Sequence, residues 1–226
     1  MISKKKLVIT GCGGMLGKAV YERFKNEYDI RANDIDVNET WLDYLDVRDE
    51  KEVSKYLEEV DPDYVIHLAA LTDMEYCELH SEDAYATNAN GTKNIIQHAS
   101  SYNIPVVYIS TAGVFDGKKN EYQENDNPNP LSIYGKSKYE GELIAGTLPK
   151  SIIIRAGWMM GGGPKKDKKF INKVIKQINA GKKEIMAVDD KLGTPCYTYD
   201  LAEVILYLLK NDLFGLYHGV CEGGGN

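Results

Sequence analysis

The sequence has no Cys-x-x-Cys pair, no long apolar run and no surplus of positive charge. Its four cysteines, Cys12, Cys77, Cys196 and Cys221, are scattered, so neither a zinc site nor a disulfide framework is indicated, and reduced thiols in a cytosol are expected. No metal site is expected. No stretch approaches the roughly 18 apolar residues of a membrane-spanning helix. The basic start, MISKKKLVITG, holds an apolar run too short for a secretory leader and leads straight into glycines. Lys and Arg number 27 against 34 Asp and Glu, and the net charge of −7 argues against a nucleic-acid or anionic-membrane surface. Internal repeats and low-complexity linkers are also missing. What remains is a cytoplasmic protein with small ligands, and its 226 residues can bury a real core.

What is present is alternation. Short β-rich runs at Leu7–Thr10, Asp29–Asn33, Tyr64–Leu68, Val106–Ser110, Ile152–Arg155 and Glu184–Val188 read as strands, and Leu216–Val220 as another. Between them, Leu16, Ala19, Val20 and Phe24 follow helical spacing, as do Val53 with Leu57, the stretch Asp83–Ala99 and Ser137–Leu148. Strand and helix in turn imply βαβ units, hence a Rossmann-type, doubly wound parallel sheet with helices on both faces. The clearest break is Gly161-Gly162-Gly163-Pro164 with the KKDKK that follows. We therefore expect a dinucleotide-binding domain over residues 1–160, and over 161–226 a partial substrate-binding region interleaved with the last sheet elements. The chain stops at CEGGGN, a turn-like sequence that reads as a shortened C-terminus.

Gly11, Gly14 and Gly17 fit G-x-x-G-x-x-G after a strand and at the opening of a helix. In that context a turn can bring backbone N–H groups and the positive end of the helix dipole against a pyrophosphate, although a purely structural turn would use the same glycines. Asp34 ends the second strand twenty residues after Gly14, where a carboxylate can accept hydrogen bonds from an adenosine ribose; a capping or loop aspartate is the plain alternative. The carboxylate favours NAD over NADP, while Arg31 and Arg48 keep NADP open.

Tyr134 and Lys138 have Y-x-x-x-K spacing, which puts both on one helix face, where the ammonium can stabilise a phenolate. Such a tyrosine can serve as acid or base. The strand VVYIS ends in Ser110-Thr111, at the edge where open α/β sheets bind ligands, so a hydroxyl there can hold a carbonyl oxygen. An exposed helix face would show the same Tyr-Lys spacing. His67, on an apolar strand, reads as a satisfied core histidine, and Asn88 as a brace through backbone hydrogen bonds.

The segments TGCGGMLGKAV, LDVRD, PDYVIHLAALTD, TNANGTKN, YISTAGVFDG, YGKSKYEGE, IIRAGWMMGGG and VDDKLGTPCYTYDLAEVI run in order along nearly the whole chain. Together they resemble the extended short-chain dehydrogenase/reductase superfamily, and within it the dTDP-4-dehydrorhamnose reductase family, which reduces the keto group of a nucleotide-activated deoxysugar. The resemblance implies that Gly11, Gly14, Met15, Leu16 and Gly17 surround the pyrophosphate. It puts Asp34 at the ribose, Asp46 and Val47 at the adenine, and Ala69 and Ala70 at the centre of an NAD or NADP cofactor. It makes Thr111, Tyr134 and Lys138 a catalytic triad, with Tyr134 and Lys138 also at the cofactor, Lys138 on the nicotinamide ribose. Thr72, Thr111 and Trp158 fall on the substrate side. Asp46 could instead cap the next helix, Trp158 could fill the core, and the PKKDKK run could be a solvated loop or a grip on the substrate diphosphate.

The partner implied is a nucleotide sugar in dTDP-rhamnose biosynthesis, and a homodimer is left open. Two departures stand out. Ala112-Gly113 replaces the aspartate and tyrosine that family reductases place there; sugar-nucleotide dehydratases, similar in fold, use an Asp-Glu pair there, so dehydration is not expected. Relatives also continue for several dozen residues that help close the sugar site. The expected activity is reduction, with hydride from nicotinamide, a proton from Tyr134, and a phenol pKa depressed by Lys138. NAD-dependent sugar-nucleotide epimerisation and a non-catalytic dinucleotide-binding regulatory subunit are the alternatives.

Overall fold

A computed structural model describes residues 3–167, 169–185 and 191–225. Nine strands occur among them: β1 (Lys6–Thr10), β2 (Asp29–Asp34), β3 (Leu42–Tyr44), β4 (Tyr64–His67), β5 (Val106–Thr111), β6 (Ser151–Ala156), β7 (Trp158–Met160), β8 (Pro195–Tyr197) and β9 (Gly215–Gly219). The helices are α1 (Met15–Phe24), α2 (Glu50–Val60), α3 (Met74–Leu79), α4 (Ser81–Tyr85), α5 (Gly91–Tyr102), α6 (Ile133–Ala145), α7 (Gly163–Lys166), α8 (Phe170–Asn179) and α9 (Thr198–Lys210). One π-helical turn, Ala86–Asn90, joins α4 to α5.

The main sheet has seven strands in the order β3-β2-β1-β4-β5-β6-β9, all paired in parallel. This is the doubly wound arrangement that the alternation of the sequence implies. Successive strand residues point to opposite faces, so each face acquires its own core. Leu7, Ile9, Ile66, Val107 and Ile154 pack with Phe24 of α1 and Ile205 of α9. Val8, Val65, Val106 and Ile153 pack with Leu57 of α2, Ile95 of α5 and Ala145 of α6. A buried Leu or Ile contributes about 1.5–3 kcal/mol relative to exposure, so two filled faces supply most of the drive to fold.

Several elements lie outside the sequence expectation. Strands β3, β7 and β8 have three residues each, too few for a period of two to register; β7 and β8 form a separate parallel pair. Helices α3, α7, α8 and α9 were not anticipated. In α9 the run LAEVILYLLK is apolar on most sides, which blurs its stripe. Helix α6 begins earlier than expected because Ser132 caps it, its hydroxyl accepting from the Gly135 N–H at 3.0 Å. Of the strand expected over Glu184–Val188, residues 186–188 lie outside the described residues, and Glu184 and Ile185 are irregular. Among the described residues no helix is long and apolar enough to cross a membrane.

Candidate active site

Strand order reverses between β1 and β4, so the loops that follow them diverge at the carboxyl edge and leave a crevice between them. The glycine turn forms one wall. Gly11 has φ +67°, and a Cβ there would lie 2.4 Å from the Ala69 nitrogen, so only glycine lets the two loops meet. A Cβ on Gly17 would lie 2.3 Å from the Cys12 carbonyl oxygen, which explains the close seat of α1 on its own turn. Helix α1 starts at Gly14 with no side-chain cap, leaving its first-turn amides and its positive dipole end for an anion. Met15 is half-buried, whereas the Leu16 side chain belongs to the core, so Leu16 can offer only its backbone.

Asp34 stands beside this turn. Its Oδ2 accepts from the Gly13 N–H and its Oδ1 from the Asp36 N–H, both at 2.9 Å. A carboxylate has about four lone-pair sites, so capacity for ribose hydroxyls remains. Asp46 is not the cap of α2. That role belongs to Asp49, which accepts from the Lys51 and Glu52 N–H groups. Asp46 instead accepts from the Arg48 backbone and guanidinium, the latter holding its carboxyl below the usual range. Val47 is buried against Gly91, and its carbonyl accepts from Asn94 at 2.9 Å. Ala69 and Ala70 are half-buried in the loop after β4. That loop is braced by Asn88 on the π-helical turn: its amide accepts from the Leu71 N–H at 2.8 Å and donates to the Leu71 carbonyl and the Ser137 hydroxyl. Thr72 is exposed, and its carbonyl accepts from Lys169 at 3.1 Å.

His67 is buried between two hydroxyls. Thr92 donates to the Asn88 carbonyl at 2.7 Å, which leaves its oxygen to accept from His67 Nε2 at 3.1 Å. Thr10 then donates to Nδ1 at 2.6 Å. The network assigns a neutral ring, and burial pushes its pKa down to about 3.

Across the crevice, Thr111 ends β5 and its hydroxyl accepts from the Gly113 N–H at 3.0 Å. A Cβ on Gly113 would lie 3.3 Å from that hydroxyl and 3.9 Å from Tyr134 Cε1, so Thr111 and Tyr134 face each other across this glycine. Ser110 takes no part, because its hydroxyl donates to Glu142 at 2.6 Å inside the protein. Burial pushes the half-buried Tyr134 phenol upward, and the Thr111 hydroxyl pulls it part of the way back. The depression expected from Lys138 is thus not what governs this phenol. One turn along α6, Lys138 is buried, its ammonium 4.2 Å from the centroid of the Tyr108 ring. Burial lowers its pKa to about 7, against a smaller opposing pull from Glu142. Among the described residues it has no hydrogen-bond acceptor, so it can bind ribose hydroxyls from outside the chain.

Trp158 on β7 is 44% exposed with one face against Gly193, which rules out core filling. Two features escaped the sequence reading. Glu142 is paired with Arg155 behind Lys138; a lone arginine in the apolar strand IIIRA was the available signal. The other is Lys166, whose side chain crosses to the glycine turn and is nearly buried, so at this position the PKKDKK run is not a solvated loop. Among the described residues no three His, Cys, Asp or Glu side chains converge as a metal site.

Residues 5–225 match the model of the RmlD substrate binding domain. The chain belongs to this family. Within the RmlD family it is similar to a dTDP-4-dehydrorhamnose reductase of Aggregatibacter actinomycetemcomitans, 32% identical over 94% of this chain and 72% of that one. A crystal structure of dTDP-4-dehydrorhamnose reductase from Bacillus anthracis in complex with NADP superposes with a TM-score of 0.90 at 34% identity, covering 99% of this chain and 76% of the other. Methionine adenosyltransferase 2 subunit beta of Danio rerio is also similar, 29% identical over 95% of this chain and 68% of its own length. RmlD-type proteins thus include both named reductases and a named subunit of another enzyme.

Proposed function

We propose that the chain is a cytosolic NAD(P)-dependent reductase of a nucleotide-activated keto-deoxysugar, with residues 1–160 holding the dinucleotide and 161–226 contributing to the sugar side. The observation that carries this reading is the opposition of Thr111 and Tyr134 across Gly113, one helical turn from an ammonium without a protein acceptor. The residues fit a dinucleotide: an uncapped helix start for the pyrophosphate, Asp34 with spare lone pairs for the adenosine ribose, and Lys138 for the second ribose. The nicotinamide supplies hydride when bound.

The protein's share of the chemistry is positioning and one proton. Thr111 donates to the substrate carbonyl oxygen and holds it beside the phenol. Tyr134 gives its proton to that oxygen as the carbonyl becomes an alcohol. A phenol kept above its ordinary pKa is protonated at neutral pH, the form that reduction requires. Lys138 orients the nicotinamide ribose and, when charged, stabilises the phenolate left after transfer. Trp158 offers its free face to the sugar.

The test is consumption of reduced dinucleotide by the purified chain over a panel of nucleotide-activated keto-sugars. Tyr134→Phe should lower turnover by roughly 10²–10⁴-fold with dinucleotide binding intact. Near-normal turnover in that variant would overturn the mechanism. A second reading, a dinucleotide-binding subunit without turnover, draws support from the similarity to the methionine adenosyltransferase subunit and from Ala112-Gly113. Dinucleotide binding with no turnover on any keto-sugar of the panel would favour it.

A further inference from the structure

Helix α7 delivers one cation to the glycine turn from the opposite end of the chain. The Lys166 ammonium donates to the Gly13 carbonyl at 3.0 Å and to Asn38 Oδ1 at 3.2 Å, and pairs with Glu39 at 3.2 Å. Its side chain is only 7% exposed, and Nζ lies 5.8 Å from the centroid of the Trp41 ring. The approach is close because a Cβ on Gly162, with φ +74°, would lie about 3.1 Å from Met15 Cα. Gly13 gives its N–H to Asp34 and its carbonyl to Lys166, so one peptide unit joins the strand-end carboxylate to a buried ammonium.

We propose that Lys166 is the specificity-determining residue of the adenosine end, the cation that admits a 2′-phosphate beside Asp34 and so sets the balance of NADP against NAD. This rests on the dinucleotide reading above. Asp34, Asp36 and Glu39 otherwise make an acidic rim that repels a phosphate. The other cations near in sequence are committed or misplaced. Arg48 is bound to Asp46, and Arg31 lies in mid-strand, paired in register with Val8 and short of the edge. Glu39, 36% exposed, is a partner that water can hydrate, so a phosphate can replace it on Lys166. Lysine binds phosphate as a point charge through charge-assisted hydrogen bonds.

The experiment is calorimetric titration of the purified chain with NAD, NADP, 5′-ADP and 2′,5′-ADP. Lys166→Met should weaken NADP and 2′,5′-ADP by about tenfold or more and change NAD and 5′-ADP less than about threefold. Glu39→Gln, which frees the ammonium, should move the ratio the other way and keeps the test open if Lys166→Met fails to fold. Equal effects on both ligand pairs, or a wild-type chain that binds NAD but not NADP, would overturn the inference and leave the dinucleotide reading standing. A wild-type chain that binds none of the four would overturn both.

Discussion

Arg155 holds Glu142 with both edges of its guanidinium, Nη2 at 2.6 Å from Oε1 and Nε at 3.1 Å from Oε2, with both side chains almost wholly inside the protein. Ser110 donates to the same carboxylate, so β5, β6 and α6 are tied together directly behind Thr111 and Lys138. A buried pair costs desolvation to form, but removing one partner strands the other. Arg155→Met should therefore destabilise the chain by about 3–5 kcal/mol in urea unfolding, and the double variant Arg155→Met with Glu142→Met should regain most of that loss.

Lys138 trades stability for its position. Its pKa is about 7 in the folded chain against 10.5 for an ordinary lysine, so between those values the unfolded chain binds more protons. This residue makes stability rise with pH from about 7 toward 10.5, and its burden is greatest below 7. Lys138→Met should raise the melting temperature of the unliganded chain below pH 7, with the gain shrinking as pH rises. A melting series across that range checks it.

His67 works in acid. A ring with a pKa of about 3 when folded and near 6.5 when unfolded makes stability fall as pH drops below 6.5, at most about 1.4 kcal/mol per pH unit. Its ring resonances should not titrate between pH 8 and about 4.5 in NMR spectra, provided the chain stays folded. A midpoint near 6.5 would mean that the Thr10 and Thr92 contacts do not hold the neutral ring.

Gly11→Ala tests the glycine turn. The left-handed conformation alone costs an L-residue about 1–2 kcal/mol, and the added methyl would press on the Ala69 backbone. The variant should lose the thermal stabilisation given by NAD or NADP while its far-ultraviolet circular dichroism stays native-like.

Parts of this site were legible in the sequence because their causes are local. A turn that needs positive φ requires glycine, so Gly11 was visible; two residues one helical turn apart share a face, so Tyr134 and Lys138 were visible too. The choice between neighbours was not. Ser110 and Thr111 are both strand-end hydroxyls, and only the position of Glu142 removes the first. Likewise Asp46 and Asp49 both precede α2, and only the Arg48 contact separates their roles.

The sequence by itself determined the doubly wound sheet, since alternating periods of two and 3.6 residues leave few ways to bury both strand faces and one side of each helix. It also determined that a diphosphate-sized gap opens after β1, through residues adjacent in the chain. The tertiary structure alone decided the charges around that gap. Lys166 reaches the Gly13 carbonyl across 153 residues of chain, and Arg155 reaches Glu142 from another layer of the fold. Electrostatic partners are set by distance in space, which no local spacing encodes.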